Sequence, residues 1–151
     1  MTDQALTELL RDRGQRVTSQ RLLIHRFVRD HDGHLTAEQV LAGVADALPG
    51  TALPTVYATL ELFEDLGLVR RVQTGGGTMV FDPRTEPHHH VTCRRCGAVE
   101  DVEAPIELDG VLRRARRTGF APEHAEVVVS GLCRDCRTSV PGHRGQTPMS
   151  G

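Results

Sequence analysis

The 151-residue sequence predicts an α+β chain organised as two small units, and three observations carry that expectation. Apolar residues recur at helical spacing through residues 6–66, then give way to two strand-like runs around Gly75-Gly76-Gly77. Residues 82–87 interrupt the pattern with two prolines and alternating charges. Beyond them, two Cys-x2-Cys pairs, Cys93 with Cys96 and Cys133 with Cys136, bracket a further helix and strands. The expected boundaries are 1–82 for the first unit, 83–87 for a hinge and 88–140 for the second unit. A Gly/Pro/Ser-rich tail, 141–151, is expected to be disordered.

Leu6, Leu9 and Leu10 follow helical spacing, with Gly14 as the stop. Thr18 is placed as the N-cap of a second helix that turns Leu22, Leu23, Phe27 and Val28 inward. Thr36-Ala37-Glu38-Gln39 has the capping-box pattern, and its helix carries Val40, Leu41, Val44 and Leu48 on one face. A fourth helix starts near residues 51–54, where proline is tolerated in a first turn, and stops at Gly67. It turns Val56, Leu60 and Phe63 inward and leaves Thr55, Tyr57, Ala58 and Thr59 near its exposed N-terminal end. Runs 69–73 and 78–81 then form a hairpin. Short helices, the last with a polar N-terminal end, followed by a hairpin describe a winged helix, whose last helix enters the major groove of DNA, or equally a small helical unit with an incidental hairpin; the basic segment beside it favours the first. Past His88, strand-like runs at 99–102 and 126–130 flank a helix over 106–118. Leu108, Val111, Leu112 and Ala115 are its expected inward face.

Apolar content is 38% with no Trp and one Tyr, so two cores built from it are thin. A structural metal or a dimer interface is the usual remedy at this size. The net charge of -2 carries no global nucleic-acid signature. Residues 10–29, however, hold six Arg against one Asp, a local patch suited to a phosphate backbone. No apolar run approaches membrane-spanning length and no secretory signal is visible, so a cytoplasmic location with no membrane partner is expected. There, paired cysteines are metal ligands more often than disulfides.

The stretch His88-His89-His90-Val91-Thr92-Cys93-Arg94-Arg95-Cys96 concentrates the two ligand types that borderline transition metals prefer. Four thiolates as two Cys-x2-Cys pairs match a closed tetrahedral zinc site, the alternatives being two disulfides or a redox pair. The histidines are surplus to that site and point to a second metal. A zinc metalloenzyme is the competing class of function. It needs an open coordination position, a general base and a pocket, and the sequence holds no His-Glu-x-x-His or nucleophile motif.

Seven separated motifs in order resemble the ferric uptake regulator family of metal-dependent repressors. They are Arg16-Val17-Thr18-Ser19-Gln20-Arg21, His34-Leu35-Thr36-Ala37-Glu38, Thr55-Val56-Tyr57, Gly67-Leu68-Val69, His88-His89-His90, Cys93-Arg94-Arg95-Cys96-Gly97 and Gly131-Leu132-Cys133-Arg134-Asp135-Cys136. The resemblance implies a winged-helix DNA-binding domain, a C-terminal dimerisation domain and binding to a palindromic double-stranded operator as a homodimer. It implies structural Zn(II) on Cys93, Cys96, Cys133 and Cys136. It also implies a regulatory Fe(II) or Mn(II) site, with Zn(II) as alternative, on His34, Asp82, His88, His90 and Asp101. A third site on His89, Glu107 and His124 is the further implication, with Pro87 standing where the family has another histidine. DNA contacts are expected from Arg16, Thr18, Gln20, Thr55, Tyr57 and Thr59, with Ala58 where many members carry Arg. Asp82, where iron-uptake members usually carry Glu, is similar to the peroxide-sensing branch, whose oxidation targets match His34 and His88. Iron and zinc homeostasis are the alternatives within the family.

Overall fold

The computed structural model describes residues 1–74 and 77–139. The hairpin tip at Gly75-Gly76 and the tail from residue 140, including His143, lie outside the described residues.

Four helices come first: α1 (Asp3–Asp12), α2 (Ser19–Arg29), α3 (Ala37–Val44) and α4 (Leu53–Asp65). The starts of α1, α2 and α3 follow from Thr2, Thr18 and Thr36, whose side chains satisfy otherwise unpaired N–H groups, whereas α4 starts after Ala52 without a side-chain cap. Thr18 Oγ1 accepts from Arg21 N–H at 3.2 Å. At Thr36 the reciprocal box forms, Gln39 N–H donating to Thr36 Oγ1 at 3.2 Å and Thr36 N–H to Gln39 Oε1 at 2.8 Å. Gly14 and Gly67 take φ of +66° and +72° just past α1 and α4, the left-handed geometry that ends a helix. β1 (Arg70–Gln73) and β2 (Met79–Asp82) then pair antiparallel as the expected hairpin.

Leu6, Leu10, Ile24, Val28, Val40, Val44, Val56, Leu60, Phe63, Val69 and Phe81 join one buried core between these helices and the hairpin. Two details differ from the periodicity reading. The buried face of α2 is Ile24, His25 and Val28, whereas Leu22, Leu23 and Phe27 are half-buried. His25, which matches no motif and reads as a surface residue, is only 6% exposed. Its ring meets Phe63 edge to face at 5.8 Å, and its Nδ1 has no hydrogen-bond partner.

The second half is a three-stranded sheet with a helix after its edge strand. β3 (His89–Cys93) lies at the centre, antiparallel to β4 (Val99–Val102) and parallel to β5 (Val128–Gly131), giving the order β4-β3-β5. The His/Cys run was not legible as a strand because its inward positions are imidazole, hydroxyl and thiol rather than hydrocarbon. α5 (Asp109–Arg117) is shorter than expected, and a short α6 (Arg134–Thr138) carries the last cysteine. The inward face expected for the longer helix is not buried: Leu108, Leu112 and Ala115 are half-exposed, and Val111 is 59% exposed. Nothing among the described residues covers that stripe, and Phe120, Val128 and Val129 are exposed as well. Among the described residues after Asp82, only His88, His90, Thr92 and Cys93 are buried, so this half has no hydrocarbon core. No helix among the described residues is long and apolar enough to cross a membrane.

Phe63→Ala removes the largest side chain of the first core and is expected to cost about 3–5 kcal/mol in urea unfolding. His25 supplies a pH dependence. Burial, and next the Arg29 cation, hold its pKa below 6.5, so below that value the unfolded chain takes up a proton that the folded chain refuses. Its contribution is therefore intact above 6.5 and is lost as pH falls towards the folded value. His25→Leu is expected to flatten the wild-type fall in stability as pH drops below 6.5, read by paired urea titrations.

Candidate metal centres and basic face

Two antiparallel pairings assemble one cluster from both halves. Leu35 and Phe81 exchange N–H···O bonds of 2.9 and 2.7 Å outside the regular strands. Both side chains point into the core, so their neighbours His34 and Asp82 project together on the opposite face. In the other half, His90 and Asp101 are cross-strand partners on β3 and β4, and His88 precedes His90 by the two residues that return a strand to one face.

The result is five converging donors. His34, His88 and His90 present Nε2, and the carboxylates present Asp82 Oδ2 and Asp101 Oδ1, all within 4.8 Å of one another. His88 Nε2 is 2.9 Å from Asp82 Oδ2 and 3.2 Å from Asp101 Oδ1; the corresponding distances for His34 are 3.6 and 3.4 Å. Donors about 2.1 Å from one ion stand about 3.0 Å apart when adjacent and about 4.2 Å apart when opposite. The observed spacings fit that range. A second observation tests the fit: Nε2 of His34 and of His88 are buried without a hydrogen-bond partner. Buried nitrogens left unpaired cost free energy unless something accepts their lone pairs. Burial also holds the His34 imidazole below its ordinary value despite Asp82 and Asp101, which keeps that lone pair available near neutral pH.

Groups behind the donors orient them. His88 Nδ1 lies 2.7 Å from the Glu86 carbonyl, which fixes Nδ1–H as the donor and frees Nε2. Asp82 Oδ1 accepts from Arg84 N–H at 2.8 Å, leaving Oδ2 for the cluster, and the Arg84 guanidinium reaches Asp101 Oδ2 at 3.5 Å. The sequence reading did not single out Arg84 or Glu86. Only the Asp-Pro-Arg turn at 82–84 hints at the first, because Asp side chains cap the N–H two residues on.

The four cysteines form the other cluster. Cys93 pairs with Gly131 across β3 and β5, and a turn closed by Gly97 N–H on the Cys93 carbonyl brings Cys96 back. Cys133 caps α6, its Sγ accepting from Cys136 N–H. All four thiols are free and mutually within 4.8 Å, with Cys96 Sγ 3.7 Å from Cys133 Sγ. That separation is near twice a disulfide's and close to the roughly 3.8 Å between sulfurs bound about 2.3 Å from a tetrahedral zinc. Backbone N–H groups of Cys133 and Cys96 draw the Cys93 thiol down to about 5. Burial and the Cys133 thiol push Cys136 up to about 12.

The residues expected for the third site are not brought together. His89, Glu107 and His124 belong to no ligand cluster among the described residues. His89 Nδ1 accepts from Val127 N–H at 3.1 Å, Glu107 is exposed, and His124 Nε2 faces Arg70 Nη2 at 3.2 Å. The same guanidinium is also paired to Glu126.

Arg16, Thr18, Gln20, Thr55 and Thr59 line one depression with Arg21 and Ala58, between the N-terminal ends of α2 and α4. Arg21 was missed, although its guanidinium shapes the rim by donating to the Arg16 carbonyl at 2.6 Å. Thr59 departs from expectation: it is 4% exposed, and its hydroxyl donates to the Thr55 carbonyl at 2.9 Å. Tyr57 lies outside the depression, half-buried, with its hydroxyl 3.5 Å from Glu38 Oε1.

Cys133→Ser tests the thiol cluster. Orienting groups alone are worth about 10–100-fold in metal affinity, so losing a thiolate is expected to cost at least that. Zinc released to a chromophoric chelator reads the effect, together with a lowered unfolding midpoint.

The Ferric uptake regulator family profile matches residues 12–130. The peroxide-responsive repressor PerR of Staphylococcus saprophyticus is 34% identical over 129 residues, covering 85% of this chain and 86% of that protein. The ferric uptake regulator of Helicobacter pylori, described with three functional metal-binding sites, superposes with a TM-score of 0.73 at 18% identity. That likeness covers 93% of this chain and 97% of the other. PerR of Streptococcus pyogenes, described as sensing peroxide and regulating genes, superposes at 0.51 with 25% identity over 89% of this chain and 92% of its own. Regulators and repressors, not enzymes, are what these relatives are named, and the chain belongs to the ferric uptake regulator family.

Proposed function

We propose that the chain is a metal-responsive transcriptional repressor that binds a palindromic operator as a homodimer and senses peroxide at its five-donor site. The observation that carries this reading is the convergence of His34, Asp82, His88, His90 and Asp101 from both sides of residues 83–87. Three imidazoles and two carboxylates suit Fe(II) or Mn(II), with Zn(II) as the alternative, and the four thiols suit a structural Zn(II). His34 travels with the helical half and His88, His90 and Asp101 with the sheet half, so ligands drawn to one ion hold the two halves at one angle. That angle sets the spacing of two DNA-binding faces in a dimer, and a metal selective for it shifts the population towards the DNA-competent form.

The remaining parts are consistent with this reading. Ala52 gives α4 no side-chain cap, but Pro54 has no N–H and Thr55 N–H donates to the Ala52 carbonyl at 3.0 Å, so contacts to a phosphate at this depression fall to the Arg16 and Arg21 guanidinium groups. Guanidinium groups are phosphate ligands. The exposed Val111, Phe120, Val128 and Val129 supply apolar surface for a second copy of a half that lacks its own core. Fe(II) bound at the five donors would supply one-electron reduction of peroxide. Of its imidazole ligands, His34 and His88 are the proposed oxidation targets. The relative at 34% identity that is named a peroxide-responsive repressor supports this branch.

The zinc-loaded dimer, given Fe(II) or Mn(II) anaerobically and then low peroxide, tests the reading by operator binding and mass spectrometry. Only the Fe(II) form is expected to release DNA, with oxygen added to the His34 or His88 peptide. If both forms keep DNA and remain unmodified, peroxide sensing fails. DNA titrations with Fe(II) against Zn(II) then separate iron from zinc homeostasis.

A further inference from the structure

Arg70 joins the two halves next to the five-donor site without being a ligand of it. It opens β1, and its register partner on β2 is Asp82, one of the five donors. Its Nη2 lies 2.5 Å from Glu126 Oε2 and 3.2 Å from His124 Nε2, both in the segment that leads into β5. Its Nη1 is 3.5 Å from the Glu86 carbonyl, the same oxygen that faces His88 Nδ1 at 2.7 Å. The pair is largely shielded, with Arg70 and Glu126 side chains 17% and 25% exposed. One guanidinium thus ties the hairpin, the connecting segment and the sheet half together, and steadies the carbonyl that orients His88.

We propose that Arg70 is a positioning residue for metal sensing: a built-in cationic clamp that holds the halves near the metal-binding angle before the ion arrives. The inference rests on the proposed regulatory role of the five donors. A site already populated in its competent geometry binds with less loss, because the apparent dissociation constant equals the intrinsic one divided by the competent fraction. The clamp therefore sets the metal concentration at which the protein responds.

Electrostatics alone predicts the opposite sign. Removing a cation from the strand partner of Asp82 lowers repulsion of an incoming divalent ion and tightens its binding. Arg70→Gln distinguishes the two accounts. In the zinc-loaded protein, the clamp predicts that half-saturation by Mn(II) rises about fivefold or more. DNA affinity at saturating Mn(II) is expected to change less than about twofold, because excess ion restores the angle. Arg70→Lys, which keeps the charge and reaches Glu126 by one bond, is expected to recover part of the loss. Tryptic cleavage after Arg84 in the Mn-free protein is expected to accelerate in Arg70→Gln. Unchanged or tighter Mn(II) binding, or unchanged cleavage, overturns the clamp. A purely structural role would lower DNA affinity even at saturating metal. If the wild type binds Mn(II) but never DNA, the functional reading fails, and the Mn(II) and cleavage measurements still decide the clamp. If the wild type binds no Mn(II), both proposals fall.

Discussion

The two hydrogen bonds between Leu35 and Phe81 are the contact on which both the core and the five-donor cluster depend. A two-residue side-chain period forces neighbours on a strand to opposite faces. Pairing these residues therefore sends two large apolar side chains into the helical core and sends His34 and Asp82 outward as a pair. Packing and chemistry share one backbone bridge. A change that loosened the core at Phe81 would also displace two of the five donors.

The halves solve the same stability problem differently. The first buries Leu, Ile, Val and Phe between four helices and a hairpin, at roughly 25 cal/mol per Å² of apolar surface. The second buries imidazoles, a hydroxyl and a thiol, groups that cost free energy when desolvated without partners. Its order therefore depends on what those groups bind and on what covers Val111, Phe120, Val128 and Val129. This division makes a ligand-sensitive half and a self-sufficient half, the arrangement expected of a protein whose angle between halves carries a signal.

Orientation within the cluster comes from residues that are not donors. The Glu86 carbonyl selects the His88 tautomer, and Arg84 N–H takes one oxygen of Asp82 so that the other faces inward. Arg84 within the connecting segment is anchored to Glu103, and Arg70 in β1 to Glu126. The segment between the halves is thus bounded by ion pairs rather than by packed hydrocarbon.

Sequence alone determined the elements whose signals are local. Caps at Thr18 and Thr36, the stops at Gly14 and Gly67, the hairpin and the two Cys-x2-Cys turns all depend on residues within a few positions of one another. The motifs also named the five donors, because a family resemblance carries spatial information that periodicity lacks. Tertiary structure decided what depends on distant partners. β3 exists because Val128–Gly131 and Val99–Val102 supply its hydrogen bonds, not because its side chains favour a strand. His25 is buried where Phe63 from α4 meets it, and α5 stays exposed because no layer among the described residues reaches it. Arg70 meets His124 and Glu126 although nothing near it in the sequence signals them, because an ion pair between distant segments leaves no local pattern to read. Short-range hydrogen bonding is written in the sequence, whereas burial and ion pairing are properties of which surfaces meet.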